Sequence, residues 1–201
     1  MFSFEPHDLL HISGSAVLPA DAPAWAVHAL RTIPWVVVRR GPAPDGLIPV
    51  GVRGSTRAER YGAQVRLDDV REVVTPESLA RTTSYRDVSA LRTLDAVRPL
   101  LDDTGLVWGP TGSVGFELAT GQPTATPASD LDLLVRAGDL RGALRRLTRL
   151  HHELRSTDAR VDCQVETSSG AVALAELVGG HPDVLMRTPN GPRLVTRAAV
   201  S

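Results

Sequence analysis

Residues 108–136 read WGPTGSVGFELATG, QPTATPA and SDLDLLVR in succession, and they carry the clearest alternation of strand, turn and helix in the chain. Leu106 to Trp108 reads as a short strand, Gly109 to Ser113 as a glycine-rich turn, Val114 to Thr120 as a short helix and Leu131 to Arg136 as a strand. Alternation along that strand puts Asp130, Asp132 and Leu134 on one face, with Leu131, Leu133 and Val135 turned to the core. Two carboxylates two residues apart on a strand lie roughly 7 Å apart at their Cα atoms. Their oxygens can converge on divalent ions about 4 Å apart, the arrangement used for in-line displacement at phosphorus. Mg²⁺ suits such a pair because it takes a few carboxylates and fills its other positions with water and phosphate oxygens. The turn has two readings. Gly112 and Ser113 either form a tight turn with a serine N-cap, or let the backbone approach a phosphate in front of a helix N-terminus. A D-x-D pair alone is weak, since most such pairs cap helices or sit in turns.

Beyond this stretch, Leu140 to Arg155 reads as a long helix with Leu140, Leu144, Leu147 and Leu154 as its apolar stripe. Arg141, Arg145 and Arg149 align at spacing four on another face, either a solvated side or a docking surface for an acidic partner. Arg160 to Glu166 reads as a strand, with Arg160, Asp162, Gln164 and Glu166 on one face and Val161, Cys163 and Val165 on the other. Asp162 is thereby a candidate third metal ligand or general base, Cys163 a core residue rather than a nucleophile, and Arg160 and Glu166 a solvated strand face at their plainest. Val172 to Leu177 and Val184 to Arg187 are further strand candidates. Upstream, Ser89 to Leu101 carries Leu91, Leu94, Val97 and Leu101 at helical spacing and closes at Thr104-Gly105. Trp25 to Leu30 reads as a helix, and Trp35 to Val38 and Ile48 to Val52 as strands. The pattern changes between residues 76 and 88, giving two domains, 1–80 and 81–201, and an α+β class.

The chain has 201 residues, of which 42% are hydrophobic and 22% charged, enough to bury a core and unlike a disordered chain. Its 22 basic and 23 acidic residues give a net charge of −1, which argues against nucleic acid as the main partner. All the basic residues are arginine and none is lysine. That removes Walker A phosphate loops and Schiff-base chemistry and leaves phosphate to arginine, backbone amides or a metal. One cysteine excludes a disulfide framework within the chain. With no run long enough to span a membrane and no signal-like start, the expectation is a cytoplasmic protein. His7 and His11, and the pair His151-His152, lack the companions a zinc site needs. Residues 39–66 carry six arginines (Arg39, Arg40, Arg53, Arg57, Arg60 and Arg66) against Asp45 and Glu59. Arg53, Arg57 and Arg60 are either a phosphate clamp or the wet face of a helix.

Strand, G-S turn, helix, D-x-D strand and a later strand with one more Asp is an order that resembles nucleotidyltransferases of the DNA polymerase β type. Sixteen residues separate Ser113 from Asp130, a long gap for that type, filled in part by the Pro/Thr/Ala-rich loop 122–128. The segments GPTGSVGFELATG, SDLDLLVR, RVDCQVET and VLMRTPNGPRLV, with PHDLL and IPVGVRGSTRAER before them, resemble one family more specifically. That family is the phosphoribosyl-dephospho-CoA transferase of malonate decarboxylase, its holo-acyl-carrier-protein synthase. The resemblance runs over about residues 5 to 196. It implies a C-terminal polymerase-β-like mixed sheet flanked by helices. It also implies transfer of the prosthetic group from 2′-(5″-triphosphoribosyl)-3′-dephospho-CoA to a serine of the apo acyl-carrier subunit, with release of pyrophosphate. On this reading Asp130, Asp132 and Asp162 hold one or two Mg²⁺ ions, Gly112 and Ser113 cradle the triphosphate, and Arg53, Arg57 and Arg60 contact substrate. The alternatives are a nucleoside triphosphate with another acceptor, and an inactive relative that only binds the carrier.

Overall fold

The structure, a computed structural model, describes residues 4–13, 18–56 and 58–200. The chain divides into two compact units, Met1–Thr75 and Pro76–Ser201. Both contain helix and sheet, and the class is α+β.

The first unit is a five-stranded antiparallel sheet of β1 (Leu9–Ile12), β2 (Trp35–Val38), β3 (Leu47–Arg53), β4 (Arg60–Arg66) and β5 (Val70–Val74). Its order is β4-β3-β2-β1-β5. The helix α1 (Ala24–Thr32) packs on it. Leu10, Ile12, Leu30, Val36, Val50 and Val52 are all essentially closed to solvent and form its core. β3 shows why: its burial alternates strictly, with Ile48, Val50 and Val52 inward.

The second unit is a six-stranded sheet of β6 (Val107–Pro110), β7 (Leu131–Arg136), β8 (Val161–Thr167), β9 (Gly170–Ala173), β10 (Asp183–Thr188) and β11 (Gly191–Thr196). The order is β11-β10-β9-β8-β7-β6. The helices are α2 (Ser89–Asp103), α3 (Gly112–Thr120), α4 (Leu140–Leu154) and α5 (Leu174–Val178). Only β7 and β8 run parallel, because α4 carries the chain back across one face between them; the other neighbours are antiparallel. The core joins Leu91, Leu94, Val97 and Leu101 of α2 and Leu140, Ala143, Leu147, Leu150 and Leu154 of α4 to Leu131, Leu133, Val135, Cys163 and Val165 of the sheet.

Several expectations change in detail. The stripe of α4 runs through Ala143 and Leu150, while Leu144 is exposed. Arg141, Arg145 and Arg149 are exposed along the same helix. The run from Val172 does not stay extended. It turns at Ala173 into α5, as Leu174, Ala175 and Glu176 are good helix formers. The turn Pro76–Leu79 lies with the second unit rather than with residues 1–80. A Cβ added at Gly109 would stand 1.9 Å from the carbonyl oxygen of Pro76, so only glycine allows that turn to sit on β6.

Cys163 is a free, buried thiol, and burial pushes its pKa up to about 12. The native protein is expected to resist iodoacetamide at about pH 8 and to alkylate only on unfolding. Rapid stoichiometric labelling of folded protein would contradict its place in the core.

Candidate active site

The site starts at the junction of β6 with α3. Thr111 N–H donates to the backbone carbonyl of Asp132 at 2.8 Å, so the turn is tied to the strand that carries the carboxylate. Gly112 follows with φ +61°, and a Cβ there would lie 1.9 Å from Oδ2 of Asp132. Glycine is therefore needed twice, for the left-handed backbone and for the close approach to the carboxylate. Ser113 is buried in the first turn of α3, whose N-cap Thr111 makes no side-chain cap. The helix therefore opens beside the Asp132 carboxylate with no cap from the Thr111 side chain.

Asp132 lies on β7 in register with Asp162 on β8. Asp130 stands immediately before β7, half-buried, and Leu131 N–H donates to the carbonyl of Arg160 at 2.9 Å. That bond brings Arg160 beside the two aspartates. Its guanidinium donates to Oδ1 of Asp162 through Nη2 at 2.9 Å and Nε at 3.2 Å. The hydrogen bond to Asp162, then the charges of Asp162, Asp130 and Asp132, hold Arg160 still more firmly protonated than an ordinary arginine. The three carboxylates therefore act on one cation. Among the described residues, no group of three or more His, Cys, Asp or Glu side chains is gathered closely enough to hold a metal ion. The pair Asp130 and Asp132 does offer the hard oxygen donors that Mg²⁺ takes in ones and twos.

A cleft of about 550 Å³ opens here, lined among others by Asp132, Asp162, Gln164, Arg155, Arg160 and Arg187. His151 is also on its wall; burial, then the charges of Arg155 and His152, hold its imidazole below the usual histidine range. Leu134 lies beyond Asp132 on the same side and is buried, with α3 packed against β7.

The remaining candidates lie in the first unit. Arg53 and Arg60 face each other across the β3–β4 pair. Arg60 opens a strand and not a helix, and donates to the carbonyls of Thr56 and Glu59. Arg57 lies outside the described residues. Glu59 accepts from Thr56 N–H and from Ser55 Oγ, and these hydrogen bonds lower its pKa.

Two residues of consequence carry little sequence signal. Arg160, a plain strand-face arginine in the sequence, is the partner of Asp162. Glu117, inside α3, is buried and accepts from Arg86 at 2.6 Å, from Thr124 N–H at 2.8 Å and from Ala125 N–H at 2.9 Å. It thereby fixes the loop 122–128 that leads into Asp130. A buried acid one turn inside a helix next to a Pro/Thr/Ala-rich loop is the only hint the sequence offers.

Residues 5–76 match the N-terminal domain, and residues 78–198 the C-terminal domain, of the family described as phosphoribosyl-dephospho-CoA transferase MdcG. Curated relatives carry the name phosphoribosyl-dephospho-CoA transferase. One from Pseudomonas putida is 45% identical over 95% of this chain and 93% of its own. One from Azotobacter vinelandii is 42% identical over 95% and 92%, and one from Pseudomonas aeruginosa 40% over 95% and 91%. No solved structure matches the chain. Among the described residues, no helix is long and apolar enough to cross a membrane.

Proposed function

The chain belongs to the phosphoribosyl-dephospho-CoA transferase family, and we propose that it moves this prosthetic group from 2′-(5″-triphosphoribosyl)-3′-dephospho-CoA to a serine of the apo acyl-carrier subunit of malonate decarboxylase. In the reaction the serine oxygen bonds to the innermost phosphorus of the triphosphate. The bond from that phosphorus to the outer two phosphates breaks, pyrophosphate leaves, and the serine proton goes to a base. The observation that carries the reading is the seating of Gly112 on the Asp132 carboxylate, with Asp162 in register on the next strand.

Each residue has a part. Asp130 and Asp132 would hold Mg²⁺, which when bound offsets the triphosphate and the charge building on the departing pyrophosphate. Gly112 and Ser113 bring the N-terminus of α3 to the same phosphates. Both hydrogen bonds from Arg160 fall on Oδ1 of Asp162. Arg160 thus orients the carboxylate and leaves Oδ2 outside that pair, to take the serine proton. The arginines of the cleft wall add positive charge for the donor, and Arg53, Arg57 and Arg60 are assigned to substrate or carrier contacts. The reducing cytoplasm suits a chain whose one thiol is buried and unpaired in any disulfide.

The test is the intact mass of the apo carrier after incubation with this protein, Mg²⁺ and the triphosphoribosyl donor, beside an EDTA control. A gain equal to the phosphoribosyl-dephospho-CoA group, absent with EDTA, is expected. No gain with competent donor and carrier, or a gain from a nucleoside triphosphate instead, would overturn the assignment.

A further inference from the structure

The face of the sheet that carries Asp132 and Asp162 continues past them. Gln164 is the next residue of β8 on that face, opposite Ala173 of β9, and Glu166 follows, opposite Ala171. Ala171 in turn stands opposite Arg187 of β10. Val184 and Met186 point into the core, so Arg187 belongs to the same face as Gln164. Between Gln164 and Arg187, β9 places on this face only Ala171, which is fully buried, and Ala173, which lines the cleft. Gln164, Ala173 and Arg187 line the cleft together with Asp132 and Asp162.

Two polar atoms of these cleft-lining side chains are buried without a hydrogen-bond partner: Oε1 of Gln164 and Nη1 of Arg187. Among the described residues one other side-chain atom shares that condition, an oxygen of Asp8 in the first unit. A buried donor or acceptor left unmade costs about 1–3 kcal/mol, more when it is charged, and native proteins seldom keep such groups without a use for them. The pair is also complementary in kind. A guanidinium N–H calls for an anionic oxygen, and an amide oxygen calls for a hydroxyl or amine hydrogen. A phosphate next to a sugar hydroxyl or a base amine supplies both, on a ligand whose reacting end is at the aspartates.

We propose that Gln164 and Arg187 form a recognition subsite for the donor, Arg187 taking a phosphate oxygen and Gln164 a hydroxyl or amine hydrogen, beside Ala173 on the cleft wall. The subsite rests on the transfer reading above and names how the donor is held away from the reacting phosphorus. The donor carries phosphate at two places, its triphosphate and the diphosphate of its dephospho-CoA body, and the two are separable by experiment.

The experiment measures the affinity of dephospho-CoA and of inorganic triphosphate, each with Mg²⁺, for the full-length wild type, Arg187→Gln, Arg187→Lys and Gln164→Leu. The KM and kcat of carrier modification are measured alongside. Loss of a hydrogen bond from a charged group predicts that Arg187→Gln weakens one probe about 10- to 100-fold, and loss of a neutral one that Gln164→Leu weakens the same probe about 3- to 10-fold. Arg187→Lys should recover part of the loss, and the donor KM should rise more than kcat falls. Weakened dephospho-CoA binding places the CoA body in the subsite; weakened triphosphate binding places the leaving end there. Folded variants that bind both probes and use the donor as the wild type does would overturn the subsite and leave the transfer reading intact. A wild type that binds neither probe and modifies no carrier would overturn both.

Discussion

Asp132→Asn is expected to lower carrier modification by about 10³-fold or more while leaving the protein folded. The substitution keeps the shape of the side chain and removes its charge. The strand it stands on is held by other things: Leu131, Leu133 and Val135 in the core and the backbone bond from Thr111 to the Asp132 carbonyl. None of these depends on the carboxylate. On the proposed reading, what changes is the capacity to hold a divalent cation and to offset negative charge moving onto pyrophosphate, since an amide presents one oxygen and a donor where there were two acceptors. Asp130→Asn is expected to act in the same direction, because Asp130 and Asp132 flank Leu131 and act together on Arg160. The measurement is the initial rate of mass gain on the carrier, beside a melting curve. Activity within a few-fold of wild type in either folded variant removes that residue from the site. A large fall in melting temperature would instead assign the carboxylate to the fold.

How much of this was legible in the sequence differs from element to element. β7 shows at its observed limits, Leu131–Arg136, because its apolar residues alternate around two aspartates. α2 and α4 show because Leu recurs at helical spacing. β4 and β11 do not show. GPRLVT has little apolar alternation, while RYGAQVR alternates Tyr61, Ala63 and Val65 with polar residues but fully buries only Val65; both are edge strands, paired with β3 and β10. At the site, Gly112, Asp130, Asp132 and Asp162 could be picked out because strand parity and a G-S turn are local patterns. The contact of Gly112 with Asp132 needed the antiparallel pairing of β6 with β7. Gln164 and Arg187 could not be picked out, as they lie on strands separated by β9 and their lack of partners exists only in three dimensions. The loop 122–128 is opaque in the sequence for a similar reason: what holds it is a side chain inside α3.

That side chain gives the largest expected effect on stability. Glu117→Ala is expected to destabilise the second unit by about 2–4 kcal/mol. The Glu117 side chain is 4% exposed, and its Oε2 accepts three hydrogen bonds, from Arg86 Nη1 and from the backbone N–H groups of Thr124 and Ala125. Ser84 Oγ approaches Oε1 at 3.5 Å. Truncation to Ala leaves the two backbone N–H groups without their acceptor, one of them on Ala125, which is part of the core. It also removes the anion opposite Arg86, although that guanidinium is 40% exposed and recovers some hydration. Partial hydration is why the expected cost falls below that of breaking a fully enclosed pair. Glu117→Gln keeps one oxygen but loses the charge, and should fall between wild type and Glu117→Ala. Urea unfolding of the three proteins measures this, with the midpoint shifting and the slope unchanged. A midpoint for Glu117→Ala equal to that of the wild type would mean that the loop is held by something other than this carboxylate. Because the loop ends at Asp130, a loosened loop should also misplace that aspartate. Carrier modification should therefore fall in Glu117→Ala even at urea-free conditions where the unit is still folded, and Glu117→Gln should lose less of it in the same order as its stability.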